Sequence, residues 1–137
     1  MSISASETQD GSVSYDVGPE RFDELVSEAI DLVPDELVEH MENVAILTAD
    51  EPSPAQAQRL RRGRLLLGLY EGVNLTHRSP TSYGAVMPDR ITIFRLAHCR
   101  LARDEADLRR RIAHTVAHEI AHHFGISDDR LRELGAY

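Results

Sequence analysis

The strongest constraint on the fold lies near the C-terminus, between Arg103 and Phe124. Acidic residues occupy the first turn of this segment, where a helix dipole favours negative charge, and Gly125 follows its last turn, where glycine commonly ends a helix. Residue character repeats every four positions, which places like residues on one helical face. The apolar stripe is Leu108, Ile112, Val116, Ile120 and Phe124, the small-residue stripe is Ala113, Ala117 and Ala121, and the histidine stripe is His114, His118 and His122. We predict one long helix that buries its apolar face and presents imidazoles on another.

The histidine stripe contains a pattern with a specific chemistry. His118 and His122 are four residues apart, so both imidazoles can reach one tetrahedral metal ion at about 2.0–2.1 Å. Glu119 lies beside that ion, where it can take a proton from bound water. Gly125 can adopt a positive φ that turns the chain back, so Asp128 is expected as third ligand of the pattern His-Glu-x-x-His-x-x-Gly-x-x-Asp. The pattern predicts one Zn²⁺ per chain with water in its fourth position, as a catalytic site requires.

Other readings of the neighbouring residues stay open. Asp128 could instead be an acid in the first turn of a helix that begins after Ser127, and Asp129 could be the ligand in its place. His123 is more consistent with lining a cleft or supporting a ligand than with binding metal. His114 shares the ligand stripe and could shape the same cleft, although a hydrogen-bonded structural histidine is the simpler reading.

Several further residues carry weaker signals for the site. His40, His77, His98 and Cys99 have no ligand spacing, so we predict structural roles for them. Glu71 fits a surface acid and a cleft residue equally well. Tyr83 and Tyr137 are the candidate donors to an oxyanion.

Hydrophobic spacing organises the rest of the chain. We predict a flexible tail at residues 1–17 and a single domain at residues 18–137. An amphipathic helix is expected over Pro19–Val33, and a short helix is expected from Pro34 with Leu37, Val38 and Met41 buried. The predicted strands are Val44–Thr48, Arg64–Val73 and Arg90–Ala97, the last alternating Ile91, Ile93 and Arg95 against Thr92, Phe94 and Leu96.

The net charge of −8 is unevenly distributed. Residues 1–52 contain 14 acidic residues and one arginine, whereas residues 53–137 contain 9 acidic residues and 14 arginines. We expect acidic N-terminal helices to cover part of a basic C-terminal half within one molecule. The negative total argues against a nucleic-acid partner, although the arginine-rich stretch 59–64 keeps that alternative open.

Length and cysteine content limit the class of protein. The 137 residues are enough for one domain with a modest core, and the single cysteine cannot form an internal disulfide, which fits a reducing compartment. The N-terminus lacks the basic and apolar regions of a signal peptide, and no apolar run approaches the 18 or so residues that span a bilayer. We expect a soluble cytoplasmic protein without a membrane partner.

Three segments resemble a known family, the small zinc metallopeptidases described as minimal zincins. They are Leu67–Val73, the strand that begins at Pro88, and above all His118–Gly125; the resemblance extends over roughly Val44–Leu134. It implies an α+β fold, an α/β sandwich in which a short mixed sheet of three to four strands packs against the motif helix. It also implies zinc and peptidase activity. Compared with the similar metzincin pattern, Asp128 replaces a histidine, and the nine residues after it leave no room for a methionine-containing turn.

These observations favour a zinc-dependent metallopeptidase with Glu119 as general base and His118, His122 and Asp128 as metal ligands. An extended peptide or protein substrate is expected to pair with an exposed edge strand at Arg90–Ala97. One alternative is an endoribonuclease-like hydrolase, because the histidine stripe followed by Gly125 and Asp128 also resembles a bacterial family that matures ribosomal RNA. In that family small residues replace Glu119 and a histidine replaces Asp128, so both differences favour the peptidase. Another alternative is a binding module that keeps zinc but turns over little substrate.

Overall fold

The computed structural model describes residues 6–7, 13–58, 66–72 and 88–136. The helices of these residues are α1 (Pro19–Ile30), α2 (Asp35–Val38) with a following 3₁₀ turn (Glu39–Met41), α3 (Pro54–Ala57), α4 (Arg95–Leu101), α5 (Glu105–Phe124) and α6 (Asp128–Glu133). The strands are β1 (Ser6–Glu7), β2 (Val13–Ser14), β3 (Val44–Ala49), β4 (Gly68–Glu71) and β5 (Asp89–Phe94).

A mixed sheet of three strands lies against the motif helix, within the described part of the chain. Its order is β3-β5-β4, with β3 parallel and β4 antiparallel to β5. β1 and β2 form a separate antiparallel pair. Helices combined with a small mixed sheet confirm the predicted α+β, minimal zincin-like fold.

The prediction of an edge strand at Arg90–Ala97 was wrong in two respects. β5 lies between β3 and β4, so both of its edges are paired, and residues 91–94 are all buried instead of alternating. The chain also turns helical at Arg95, whose side chain donates hydrogen bonds to Asp50 and to the carbonyl of Val17. A strand that is buried on both faces is apolar at successive positions and shows no alternation of polar and apolar residues. The sequence therefore contains no signal where β5 ends, and the predicted strand was extended into the first residues of α4.

α5 confirms the predicted long helix and provides the centre of the core. Its 20 residues begin after Asp104, whose side chain accepts a hydrogen bond from the Asp107 backbone N–H. They end at Gly125, which has φ +73° and donates its N–H to the Ala121 carbonyl. The first four members of the apolar stripe are fully buried, in contact with residues of α1 and the sheet. Phe124, the fifth, lies at the end of the helix and is 42% exposed, with its ring packed against His40.

The N-terminal helices differ from their predicted bounds in detail. α1 ends at Ile30 rather than Val33. The second helix becomes a 3₁₀ turn after four residues, which rotates successive side chains by a different angle and leaves Val38 38% exposed while Leu37 is buried. β3 is one residue longer than predicted. Only Gly68–Glu71 of the predicted strand Arg64–Val73 is a strand; positions 64, 65 and 73 lie outside the described residues.

Ion pairs connect the acidic N-terminal part to the basic C-terminal part, as the charge distribution predicted. Glu28 on α1 accepts from Arg109 on α5 at 3.0 Å. Glu36 on α2 pairs with Arg130 on α6. In one further ion pair the charges are exchanged: Arg21 in the acidic N-terminal part binds Glu105 in the basic C-terminal part at 2.6 Å. These contacts orient α1 and α2 across the core side of α5.

The residues just before α1 are attached to α4. Tyr15 donates its backbone N–H to the Cys99 carbonyl, and Val17 accepts from Arg95. Both side chains are partly buried against the core. The division into a tail at 1–17 and a domain at 18–137 stays a prediction.

Candidate metal centre

Two neighbouring stripes of α5 form the candidate site. Thr115, Glu119 and His123 lie along β4, and the histidine stripe lies beside them. His114 and His122 are exposed, whereas His118 is half-buried with its Nε2 shielded from solvent. One helix therefore presents imidazoles to an accessible face and a carboxylate to the sheet.

The rings of His118 and His122 are arranged as two ligands of one ion could be. Their centres are 5.7 Å apart and their planes are nearly perpendicular. Two imidazoles that bind a tetrahedral ion through nitrogens about 2.1 Å away have ring centres about 5 Å apart. Burial, followed by the adjacent His114 and His122, lowers the pKa of His118, and Asp128 opposes this effect. His118 is thus neutral at pH 7, the form of imidazole that binds zinc.

Glu119 is held at the sheet by a backbone hydrogen bond. Its Oε1 accepts the N–H of Tyr70 in β4 at 2.8 Å. Burial raises the pKa of Glu119, while the hydrogen bond from Tyr70 and the proximity of His122 oppose the rise. A carboxylate with a raised pKa, adjacent to two imidazoles, has the properties expected of a general base.

The register of β4 explains why the Tyr70 N–H is available to Glu119. The backbone N–H of Phe94 donates to Leu67, so Leu67 and Phe94 are opposite each other as a hydrogen-bonded pair. In an antiparallel ladder such pairs alternate with non-bonded ones, so Gly68 and Tyr70 direct their backbone N–H and C=O groups away from β5. We call this side of β4 its outer edge. Glu119 binds one of the groups on that edge.

An aromatic and acidic cluster extends the site beyond Glu119. His123 stacks on Tyr70 with ring centres 3.8 Å apart, and the Tyr70 hydroxyl donates to Asp89 at 2.7 Å. Nε2 of His123 is 4.0 Å from the same Asp89 carboxylate, and Phe124 contacts both rings edge-on. Sequence reasoning proposed His123 for a cleft but missed Tyr70 and Asp89. Their signal was only their position in two of the segments that carried the family resemblance.

The structure places Asp128 at the beginning of α6, after the N-cap Ser127. The charge of Asp128 raises the pKa of His118, against the larger lowering by burial. Asp129 is 91% exposed and pairs with Arg132 at 3.0 Å. Among the described residues, no three His, Cys, Asp or Glu side chains are grouped closely enough to hold a metal ion. The donor types fit zinc, and Asp128 as third ligand stays a prediction.

The remaining candidates have separate positions. His98 is fully buried in α4, with Nδ1 near the Phe94 carbonyl and Nε2 near the Thr115 hydroxyl. Cys99 is a buried free thiol, and His40 packs on Phe124. Glu71 accepts hydrogen bonds from Gln56 and Arg90. His77, Tyr83 and Tyr137 lie outside the described residues.

The chain belongs to the zincin-like metallopeptidase family, whose model matches residues 41–136. This membership agrees with a helix that carries two histidines and a glutamate beside a small mixed sheet. A solved structure, that of a conserved hypothetical protein from Thermus thermophilus, is 22% identical to the chain, with a TM-score of 0.48. The similarity covers 82% of this chain and 99% of that chain. No curated protein matches the chain.

None of the helices in the described ranges is long and apolar enough to cross a bilayer. A cytoplasmic location stays a prediction.

Proposed function

We propose that this protein is a zinc-dependent metallopeptidase that hydrolyses extended peptide segments. The observation that carries the proposal is the position of Glu119, between two ligand-type histidines and at the outer edge of β4. At that position the Glu119 carboxylate, a proton acceptor, lies beside the edge of the sheet with which the backbone of a substrate peptide could pair. Membership in the zincin-like metallopeptidase family supports the same chemistry.

The roles follow from the residue types and their positions. His118, His122 and Asp128 would hold Zn²⁺, which would polarise the scissile carbonyl and lower the pKa of bound water toward about 7. Glu119 takes a proton from the attacking water and passes it to the leaving amine. Gly125 ends α5 with a positive φ and α6 begins three residues later at Asp128, which supports the choice of Asp128 as the proposed third ligand.

The outer edge of β4 replaces Arg90–Ala97 as the proposed substrate strand. Gly68 and Tyr70 present backbone N–H and C=O groups there, two residues apart, as β-augmentation requires. A substrate paired with this edge passes Glu119, because that carboxylate already contacts the Tyr70 N–H. The β5 strand cannot serve, since both its edges are paired.

The first test measures metal. We expect about one zinc per chain in protein purified without chelators, zinc retained in Glu119→Gln, and weaker zinc binding in Asp128→Ala. Asp129→Ala is the matched control, because it removes the adjacent acid without touching the proposed ligand. A wild-type protein without metal at neutral pH would contradict the proposal, and zinc loss in Asp129→Ala alone would move the third ligand to that residue.

The second test measures activity. Zinc-loaded protein is incubated with unfolded casein and, separately, with structured RNA. We expect cleavage of casein that Glu119→Gln lowers by about 10²-fold or more, because a general base contributes about 10²–10⁴-fold. Cleavage of RNA alone, unaffected by Glu119→Gln, would favour the endoribonuclease instead.

A further inference from the structure

Two cavities adjoin the histidine stripe on the side that precedes His118. One, of about 280 Å³, is lined by Leu67, Arg110, Arg111, His114 and Thr115. The other, of about 330 Å³, extends from Arg110 and His114 toward Leu32, Pro34 and Ala136. Arg110 and His114 line both cavities, so a group bound in either one contacts the same two side chains.

The charge of this region is positive although the chain as a whole is negative. Arg110 and Arg111 share a single carboxylate, that of Asp107, at 3.2 and 2.9 Å. Asp107 is 8% exposed and also accepts the backbone N–H of Arg103, whereas the Arg110 side chain is 62% exposed. Arg103 also approaches this carboxylate, at 3.9 Å, so among the described residues three guanidinium groups share one buried carboxylate and the cavity wall keeps positive charge. Guanidinium groups bind carboxylates with well-defined, often bidentate geometry.

The cavities continue the line of the proposed substrate strand. β4 runs beside α5 in the same direction, with Gly68 next to Thr115 and Tyr70 next to Glu119. A peptide on the outer edge of β4 that extends past Gly68 therefore reaches Leu67, Arg111 and His114. Arg111 precedes His118 by seven residues, which is about 10 Å along the helix or about three residues of extended peptide.

We infer that Arg110 and Arg111 form a specificity site for an acidic side chain, about three residues from the bond that is cut. This inference rests on the proposed peptidase function and names its substrate class: extended peptides with Asp or Glu at that position. The acidic N-terminal part of the chain disfavours an acidic peptide on its own surface, whereas the positive wall formed by Arg110 and Arg111 favours one beside the proposed substrate strand.

The test uses internally quenched peptides taken from casein segments that the zinc-loaded protein cuts. Each peptide is made with Asp, Asn or Lys at the third residue on either side of the scissile bond. We expect Asp to exceed Asn by about tenfold in kcat/KM on one of the two sides, mostly through KM, because a charge-assisted hydrogen bond to a rim arginine affects binding. In Arg110→Gln the ratio of kcat/KM for the Asp peptide to kcat/KM for the Asn peptide should fall to within about twofold, because this variant removes the charge that distinguishes the two peptides.

A matched control and a charge reversal separate recognition from damage to the fold. Arg109→Gln changes the adjacent arginine, which instead pairs with Glu28 and Glu105, and it should leave the Asp-to-Asn ratio unchanged. Arg110→Glu should favour Lys over Asp in the same peptides. Binding of the same peptide sequences, each with a single fluorescent label, to Glu119→Gln can be measured by fluorescence anisotropy. Without any turnover, the Asp peptide should again bind more tightly than the Asn peptide.

The outcomes distinguish failure of this inference from failure of the proposed function. Peptides cut without an Asp preference, or with a preference that Arg110→Gln leaves intact, overturn the specificity site and leave the peptidase standing. No cleavage of any peptide contradicts the peptidase itself. A third outcome is cleavage of RNA but of no peptide, with the RNA cleavage abolished in Arg110→Gln. This result would show that the arginines bind RNA phosphate, and it would overturn both the specificity site and the peptidase function.

Discussion

At the scale of single residues, the hydrogen bond between the Glu119 carboxylate and the Tyr70 N–H would connect the proposed catalytic base to the proposed substrate-binding edge. A substrate strand on the outer edge of β4 would accept this same N–H. Substrate pairing would then compete with the contact that holds Glu119 on the sheet. In the proposed peptidase, peptide binding at this edge would therefore release the carboxylate to accept a proton from water.

Amide hydrogen exchange measures this contact directly. In Glu119→Ala, the Tyr70 amide loses its acceptor and should exchange about tenfold faster or more, because a hydrogen bond to a charged group contributes about 1.5–3 kcal/mol. In Glu119→Gln the side-chain carbonyl can still accept, so exchange should change less. The amides of Leu69 and Glu71 face β5 and should exchange at the wild-type rate in both variants. Equal exchange of Tyr70 in wild type and Glu119→Ala would show that this hydrogen bond does not form in solution.

At the scale of elements, the site depends on how closely α5 approaches β4. A Cβ atom on Gly68 would lie 2.6 Å from Cγ2 of Thr115 and 3.3 Å from the carbonyl oxygen of Thr92. Only a glycine lets the helix lie this near the strand. The approach brings Glu119, one turn after Thr115, within hydrogen-bond distance of Tyr70.

Adding a methyl group at Gly68 should therefore disturb both stability and the site. We expect Gly68→Ala to lower the free energy of unfolding by about 1–3 kcal/mol, the usual effect of overpacking. Thr115→Ser removes the clashing Cγ2 but keeps the hydroxyl beside His98, so the double variant should recover part of that loss. Denaturant unfolding of the four proteins measures the coupling. Strictly additive effects would contradict the steric explanation.

At the scale of the whole molecule, a buried polar bridge connects α4 to α5 behind the site. His98 is fully buried, and burial lowers its pKa from the ordinary value of 6.5, against the effect of the Phe94 carbonyl. A neutral ring with its proton on Nδ1 donates to the Phe94 carbonyl, and its Nε2 lies 2.9 Å from the Thr115 hydroxyl, whose single proton is shared between this nitrogen and the Arg111 carbonyl 3.0 Å away. Thr115 is thereby held in the position where it meets Gly68.

The lowered pKa of His98 predicts a pH dependence of stability. Below pH 6.5 the unfolded chain takes up a proton that the folded chain excludes, so stability is fully present above this pH and declines as pH falls. The slope from one such group reaches at most about 1.4 kcal/mol per pH unit. As the pH falls below 6.5, chelator-treated wild type should lose stability more steeply than His98→Gln. His114 and His118 are common to both proteins, so parallel curves would exclude a contribution from His98.

Local signals in the sequence determined the motif helix and the residue types that it presents on each face. Periodicity, acidic residues at the helix start and Gly125 at its end act within a few residues of each other, so the bounds and buried face of α5 could be predicted closely. The spacing of His118, Glu119 and His122 follows from the same helical repeat. The charge division predicted that acidic N-terminal helices cover part of the basic C-terminal half, and the ion pairs Glu28–Arg109 and Glu36–Arg130 agree with this, although the sequence did not indicate which residues pair.

Strand order, by contrast, depends on contacts between distant segments, which a one-dimensional pattern does not contain. Ile91 to Phe94 is apolar on both faces because β5 is central, and only the pairing with β3 and β4 shows this. The order of the strands leaves β4 with an outer edge, where the Tyr70 N–H binds Glu119. It also places the cavities lined by Arg110 and Arg111 in line with that edge. The sequence by itself determined which residues can do the chemistry; the tertiary structure decided what they face, because packing, not spacing, sets the neighbours of α5.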